Sequence, residues 1–401
     1  MERRLNIVSW VLFGLLLLPV FQHATKLLPE RKLRGAVTQA PVPSLHAEGW
    51  FAGTYQDSME TAINDRFGFR NMFIRINNQV AFSLYRKALA SGVIIGKNNY
   101  LYEKNYILAA NGTDYLGDSV IAARAEKLKA LQDRLESDGK HFVVTFAAGK
   151  GSFYPEHFPD RYRKAGVADR QSPPTQATDQ RSKSGYSREN PAVNRPSAWK
   201  TNLQAYKYAF DTLGVHYIDF NDWFLAMKDT SQYDLYPRTG IHWSYYGMVL
   251  VIDSLQRYFT KVTGQAMPRF EYGQIRESRN YRSSDDDIED GMNIIFRINY
   301  DRLAYPQVHF RDEGVDKLKG VVIADSFYWG LHNIGFSSRM FDKGEFWYYN
   351  KRIIANHLNG PVPLDTIDRM KRLTDKDVVM LMATEATLTA FPFGIGELAG
   401  L

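Results

Sequence analysis

A serine that attacks a carbonyl needs a base to take its proton and preorganised donors for the negative charge that develops. The stretch Lys319 to Phe327, KGVVIADSF, supplies such a serine and its support. Val321, Val322, Ile323 and Ala324 form an apolar, β-branched run without polar alternation, the pattern of a strand covered on both faces in a parallel sheet. The run breaks at Asp325, so Ser326 falls just past the carboxyl end of the strand. Open α/β sheets bind ligands there, and a sharp strand-to-helix turn exposes a hydroxyl. Asp325 suits that turn because its side chain hydrogen-bonds nearby backbone.

The base is sought among nine histidines. His242 lies 84 residues upstream, in the block TGIHWSYYG (239–247), set after a turn between Ile241 and Trp243. Neither block is specific alone: an Asp-Ser after a strand is more often a turn or a helix cap, and a His-Trp is more often packing. A serine–histidine pair also uses a third group to hold the imidazole in one tautomer. Asp234 is the nearest upstream carboxylate and Asp325 adjoins the serine. The sequence leaves open whether either reaches the ring or a backbone carbonyl serves instead. For the oxyanion, the amide of Ser326 or Phe327 is the nearest donor. Lys150, at a strand's carboxyl end, could contact an anionic substrate, though a solvated loop lysine is commoner. Trp243, Tyr245, Tyr246, Tyr328 and Trp329 are candidates for an aromatic wall, each with core packing as its alternative.

These residues need a scaffold, and the pattern predicts one. Ile121, Leu128, Leu131 and Leu135 recur at helical spacing, Asp138-Gly139 closes the helix, and Phe142 to Phe146 makes a strand that leads to the Lys150 loop. Next come a helix over 199–213 capped by Gly214, a strand over 215–220, and an amphipathic helix over 248–259. Val93 to Tyr102 reads as a hairpin, while Glu345 to Arg352 and Val378 to Ala383 add two strand-like segments. The stretch 168–197 is rich in Ser, Pro, Gln, Arg and Asn and reads as an exposed polar insertion. The acidic run DDDIEDG (285–291) has its glycine one place late for an EF-hand loop and no closing glutamate, so it reads as the acidic start of a helix.

Composition narrows the class. A chain of 401 residues with 44% hydrophobic content can bury a large core, and 24 Tyr with 24 Phe suit either sugar stacking or plain packing. The net charge of +6 is spread along the chain without an arginine-rich block, so no nucleic-acid partner is expected. With no cysteine there is no disulfide and no thiolate metal site. Neither a metal nor a cofactor is called for. At the amino terminus the basic cap MERR precedes an apolar run, Leu5 to Phe21, extendable through Leu27 and Leu28 to nearly span a bilayer. Positive charge stays on the cytoplasmic side, so the remainder is expected across the membrane. The Gln22-His23-Ala24 stretch is a poor cleavage site, which favours an uncleaved signal anchor. The expected organisation is an anchor over 1–28, a linker over 29–49 and one domain over 50–401.

Taken in order, NDRFGFR (64–70), VIIGKNNYLY (93–102), the Lys150 loop with Tyr154-Pro155-Glu156, HWSYYG (242–247) and ADSF (324–327) resemble the periplasmic, DHHW-type acetyltransferases of alginate O-acetylation. The last two blocks are the most specific. The resemblance implies an SGNH-hydrolase-like three-layer α/β/α fold with a mainly parallel central sheet behind one transmembrane helix. It implies Ser326 as nucleophile and His242 as general base, and moves an acetyl group through a serine acyl-enzyme to a polysaccharide hydroxyl. A membrane-bound O-acyltransferase would deliver the acetyl group, at a bacterial inner membrane with the catalytic domain in the periplasm. The family's Asp-x-His pattern is departed from, because Gly240 stands where the acid belongs. That departure keeps two alternatives open: a polysaccharide-binding or scaffold subunit without catalysis, and a carbohydrate acetyl esterase.

Overall fold

The computed structural model describes residues 2–35, 38–163, 200–282, 284–311 and 313–399. The insertion expected over 168–197 lies outside them. The chain divides into two units, one of residues 1–95 with 287–298 and one of 96–286 with 299–401. Residues 50–95 fall in the first of these units.

The first unit begins with α1 (Glu2–Thr25), of which Ile7–Thr25 is long and apolar enough to cross a membrane. Three helices come after it, α2 (Ala47–Phe51), α3 (Thr54–Asn64) and α4 (Arg70–Tyr85), then strand β1 (Val93–Ile95). The returning segment carries α11 (Asp287–Gly291), so the acidic run does open a helix. The α3–α4 turn is tied to the chain after α1: Glu30 accepts the N–H groups of Phe69 (2.8 Å) and Asn71 (3.3 Å), a carboxylate at a helix amino terminus.

The second unit is an α/β layer structure. Its elements are β2 (Leu101–Glu103), α5 (Lys104–Ala110), α6 (Asp118–Ser137), β3 (His141–Ala147), α7 (Lys150–Phe153), α8 (Asn202–Leu213), β4 (Tyr217–Asp219), α9 (Phe220–Met227), α10 (Tyr245–Thr263), β5 (Arg269–Ser278), β6 (Leu303–Arg311), β7 (Lys319–Ala324), α12 (Tyr328–Ile334), α13 (Phe336–Met340), β8 (Asp342–Tyr348), β9 (Arg352–Ile354), β10 (Val362–Pro363), α14 (Arg369–Thr374) and β11 (Val378–Thr384). Seven strands form one sheet in the order β10-β9-β8-β7-β11-β3-β4. The five from β8 to β4 are parallel, and β9 and β10 turn back antiparallel at one edge.

Residue parity sorts the two faces. Phe142, Val144 and Phe146 of β3, Val321 and Ile323 of β7, and Val379, Leu381 and Ala383 of β11 share a core with Leu128, Leu131 and Leu135 of α6 and Phe210 of α8. The intervening Val322, Ala324, Met380 and Met382 are equally buried, and α13 lies against β7 and β8. A strand covered on both faces needs no polar alternation, which is why VVIA and VVMLMA read as they do. Thr201 and Gln204 form a capping box at the start of α8, and Gly214 closes it at φ 72°. A separate antiparallel pair, β5 with β6, carries a register shift between Gly273 and Arg276.

Candidate active site

β7 and β11 run parallel in register, so their carboxyl ends present Asp325-Ser326 and Thr384-Glu385 side by side. The Asp325 carboxylate is fully buried and accepts four hydrogen bonds. One oxygen takes the N–H of Phe327 (3.0 Å); the other takes the N–H of Thr384 (2.8 Å) and the hydroxyls of Thr384 (2.9 Å) and Thr387 (2.6 Å). A buried charge persists when its lone pairs are satisfied in this way. Asp325 is thus the carboxylate that builds the turn; Ser326 is lifted beyond it, only partly buried.

His242 reaches the serine. Its Nε2 lies 3.4 Å from Ser326 Oγ, within the looser range found for nucleophile and base before substrate arrives. The ring packs on Phe327, 4.6 Å between centroids. Trp243, with no exposed surface, anchors the next position among Phe220, Phe224 and Phe327. Ser244 then caps α10 by accepting the Gly247 N–H (3.1 Å), while its hydroxyl donates to the carbonyl of Asp234 (2.6 Å). Asp234 therefore supports the histidine segment through its main chain. Its carboxyl is pushed up by burial and by the Asp301 charge, with Arg238 opposing.

Lys150 has a different place from that of a substrate contact. Its ammonium is buried and donates to the carbonyls of Leu101 (2.9 Å), Arg238 (2.8 Å) and Gly240 (2.6 Å). Two of those carbonyls flank the residues leading to His242, so the lysine clamps the loop that bears His242. Trp243 and Tyr328 are likewise core residues; the Tyr328 hydroxyl pairs with Ser337 Oγ at 2.5 Å inside the protein. Among the aromatics singled out from sequence, Tyr245, Tyr246 and Trp329 keep exposed surface. Tyr245 stands beside Tyr305, and the Arg282 guanidinium covers both rings at 5.1 and 4.4 Å.

Gly240 has a steric explanation. A Cβ there would fall 2.3 Å from the carbonyl oxygen of Ser284 and 2.7 Å from that of Asp285. The main chain of 284–285 fills the space from which an aspartate at 240 would extend. The side chain of Asp285 is turned to the Arg282 N–H (2.8 Å) and the Tyr305 hydroxyl (2.7 Å).

Two groups at the site carried no sequence signal. Tyr349, directly after β8, brings its phenol to the hydroxyl and N–H of Ser326; burial, with the Asp325 charge, pushes its ionisation up. Its backbone is left-handed (φ 49°), strained for a bulky residue, and its N–H is tied to Ala324 O at 2.8 Å. Glu385, beside Thr384, is buried under Gly149 and Gly151, accepts the Ser152 N–H (3.0 Å), and binds the Ser152 hydroxyl. Burial raises its carboxyl to about 7. Among the described residues no group of three or more His, Asp and Glu is placed to hold a metal ion.

No known protein family matches the sequence, and no curated protein does. Several solved structures are similar in fold. The O-acetyltransferase domain of Pseudomonas putida AlgJ is 15% identical, with 77% of this chain and 99% of that one covered and a TM-score of 0.44. Pseudomonas aeruginosa AlgX is 14% identical, with 73% and 54% covered and a TM-score of 0.38. Bacillus cereus PatB1, in a structure with a sulfonyl adduct, is 11% identical, with 69% and 93% covered and a TM-score of 0.40.

Proposed function

We propose that this chain is a membrane-anchored, periplasm-facing O-acetyltransferase that carries the acetyl group on Ser326. The observation that carries the reading is the 3.4 Å approach of His242 Nε2 to Ser326 Oγ at the carboxyl end of a central parallel strand. In the first half-reaction, Oγ attacks the acetyl carbonyl of a donor while His242 takes its proton. The tetrahedral intermediate collapses, and the imidazolium returns the proton to the leaving group. In the second, a sugar hydroxyl gives its proton to His242 and attacks the acetyl-serine; the tetrahedral intermediate collapses to the sugar ester, and the imidazolium returns the proton to the departing Ser326 Oγ. The Ser326 N–H and the Tyr349 hydroxyl, which lies against Ser326, are the proposed donors to the oxyanion charge. Tyr245, Tyr246 and Trp329 are the partly exposed aromatics proposed to meet the polysaccharide. A membrane-bound O-acyltransferase is the proposed acetyl source, reached through the α1 anchor.

The test is made on the full chain in detergent, with a chromogenic acetyl ester, with and without an oligosaccharide acceptor, for wild type and Ser326→Ala. Serine-dependent acetylation of the acceptor supports the proposal. Serine-dependent release of acetate alone identifies an esterase, and turnover indifferent to the serine leaves a scaffold or binding subunit.

A further inference from the structure

We infer that the α3–α4 hairpin lies in the headgroup layer of the bilayer that α1 crosses, with the outer face of α4 against lipid. The inference rests on reading α1 as membrane-spanning; the rest comes from how the first unit is built. α4 is inverted relative to a helix that faces water. Its outward positions are Met72, Phe73, Ile76, Val80 and Leu84, with Asn77 and Ser83 between them, and none is charged. Its mid-helix arginine points the other way: Arg75 is only 8% exposed and donates to the carbonyls of Lys32 and Ile294 and to Asn293, while Arg70, at the first position, pairs with Asp65. At 100° per residue, Phe73, Ile76, Val80 and Leu84 fall on one narrow arc, and Leu84 keeps 71% of its surface open. A charged group inside and an apolar stripe outside is the arrangement of an interfacial helix.

The position of that stripe favours lipid over a protein partner. The span Ile7–Thr25 is about 28 Å long at 1.5 Å per residue, close to a hydrocarbon core. Its last turns hold the hairpin. Gly68, between α3 and α4, packs so closely that a Cβ would meet Pro19 O at 2.2 Å, and His23 Nδ1 lies 2.6 Å from Arg66 O. The hairpin is therefore fastened where the anchor leaves the apolar layer. Exposed aromatics stand beside that joint: Phe67 stacks on Phe73, 6.2 Å between centroids. Aromatic rings of this kind concentrate at the membrane–water boundary.

The chain has no cysteine, so single-site labels are clean. The full chain would be reconstituted in liposomes containing anionic lipid, with a nitroxide at Phe73→Cys, Val80→Cys, Asp57→Cys on the exposed polar side of α3, or Leu12→Cys in the span. Collision with oxygen, which partitions into lipid, and with a water-soluble nickel chelate is then compared. Labels at 73 and 80 are expected to resemble 12, favouring oxygen several-fold over the chelate, while 57 favours the chelate. Labels at 73 and 80 that resemble 57 while 12 stays in lipid overturn the inference and leave the anchor standing. Labels at 73 and 80 shielded from both reagents also overturn it, in favour of a protein partner. A label at 12 open to the chelate removes the anchor and the inference together.

Discussion

Ser326 is held by its surroundings more than by its own bonds. The Asp325 carboxylate takes four donors from two strand ends, His242 is held at 3.4 Å, and the Tyr349 hydroxyl lies against the serine. Removing that hydroxyl with Tyr349→Phe is expected to lower kcat about 100-fold, the size of one lost oxyanion donor, with little change in KM. Steady-state kinetics on a soluble acetyl ester check this; an unchanged kcat would make the tyrosine a packing residue. Glu385 sets a pH dependence in stability. Its folded pKa, about 7, is above the ordinary 4.5 because burial disfavours the charge. Below 4.5 the group is protonated in both states and contributes nothing. As pH rises to 7, the unfolded chain loses the proton first, so stability falls, by as much as about 3 kcal/mol. Wild type is expected to lose ground against Glu385→Gln between pH 5 and pH 8 in thermal unfolding. Parallel curves would show that the carboxyl ionises without cost.

Among the elements, the loop bearing His242 is the most heavily braced. Lys150 fills three carbonyls with one ammonium, two of them on that loop, and none of its surface is open to substrate. Lys150→Met is expected to cost about 3 kcal/mol or more in denaturant unfolding, since each buried carbonyl left without a donor costs about 1 kcal/mol or more. Its residual activity should fall in kcat through loss of His242 placement. A rise in KM alone would restore the lysine to the substrate. Gly240→Asp, which rewrites the acid of the Asp-x-His pattern, is expected to destabilise the protein by about 2 kcal/mol or more and to give no gain in rate. The added Cβ has no room beside the 284–285 carbonyls. Melting temperature and acetyl-ester turnover measured together decide it.

Over the whole chain, the features that could be read from sequence were those that periodicity writes. The strands at 321–324 and 378–383, the α6 helix and its glycine stop, and the Gly214 cap all carry their pattern locally, and the mainly parallel sheet comes from their order. The β5–β6 pair was not legible, because its burial is uneven and its register shifts at Gly273. Ser326 and His242 stood out by their neighbours. Tyr349 could not, since it meets the serine only because β8 lies beside β7. Trp243, Tyr328 and Lys150 looked like ligand contacts because a buried aromatic and a buried amine have the same letters as exposed ones. The proposed topology, with Arg3 and Arg4 before the span, puts the residues beyond it in the periplasm. Glu126→Cys on the exposed side of α6 should react with an impermeant maleimide once the outer membrane is opened. Labelling that waits for rupture of the inner membrane would reverse the topology.

The crowding at Gly240 bears on how relatives of this chain can be found. A signature spelled in side chains counts a glycine at that position as decay, whereas here two peptide oxygens occupy the space beside it. Surveys that discard chains on that letter will discard this arrangement with them. Screening instead for the backbone that stands opposite the glycine would separate an enzyme that has lost its chemistry from one whose histidine is steadied by another route.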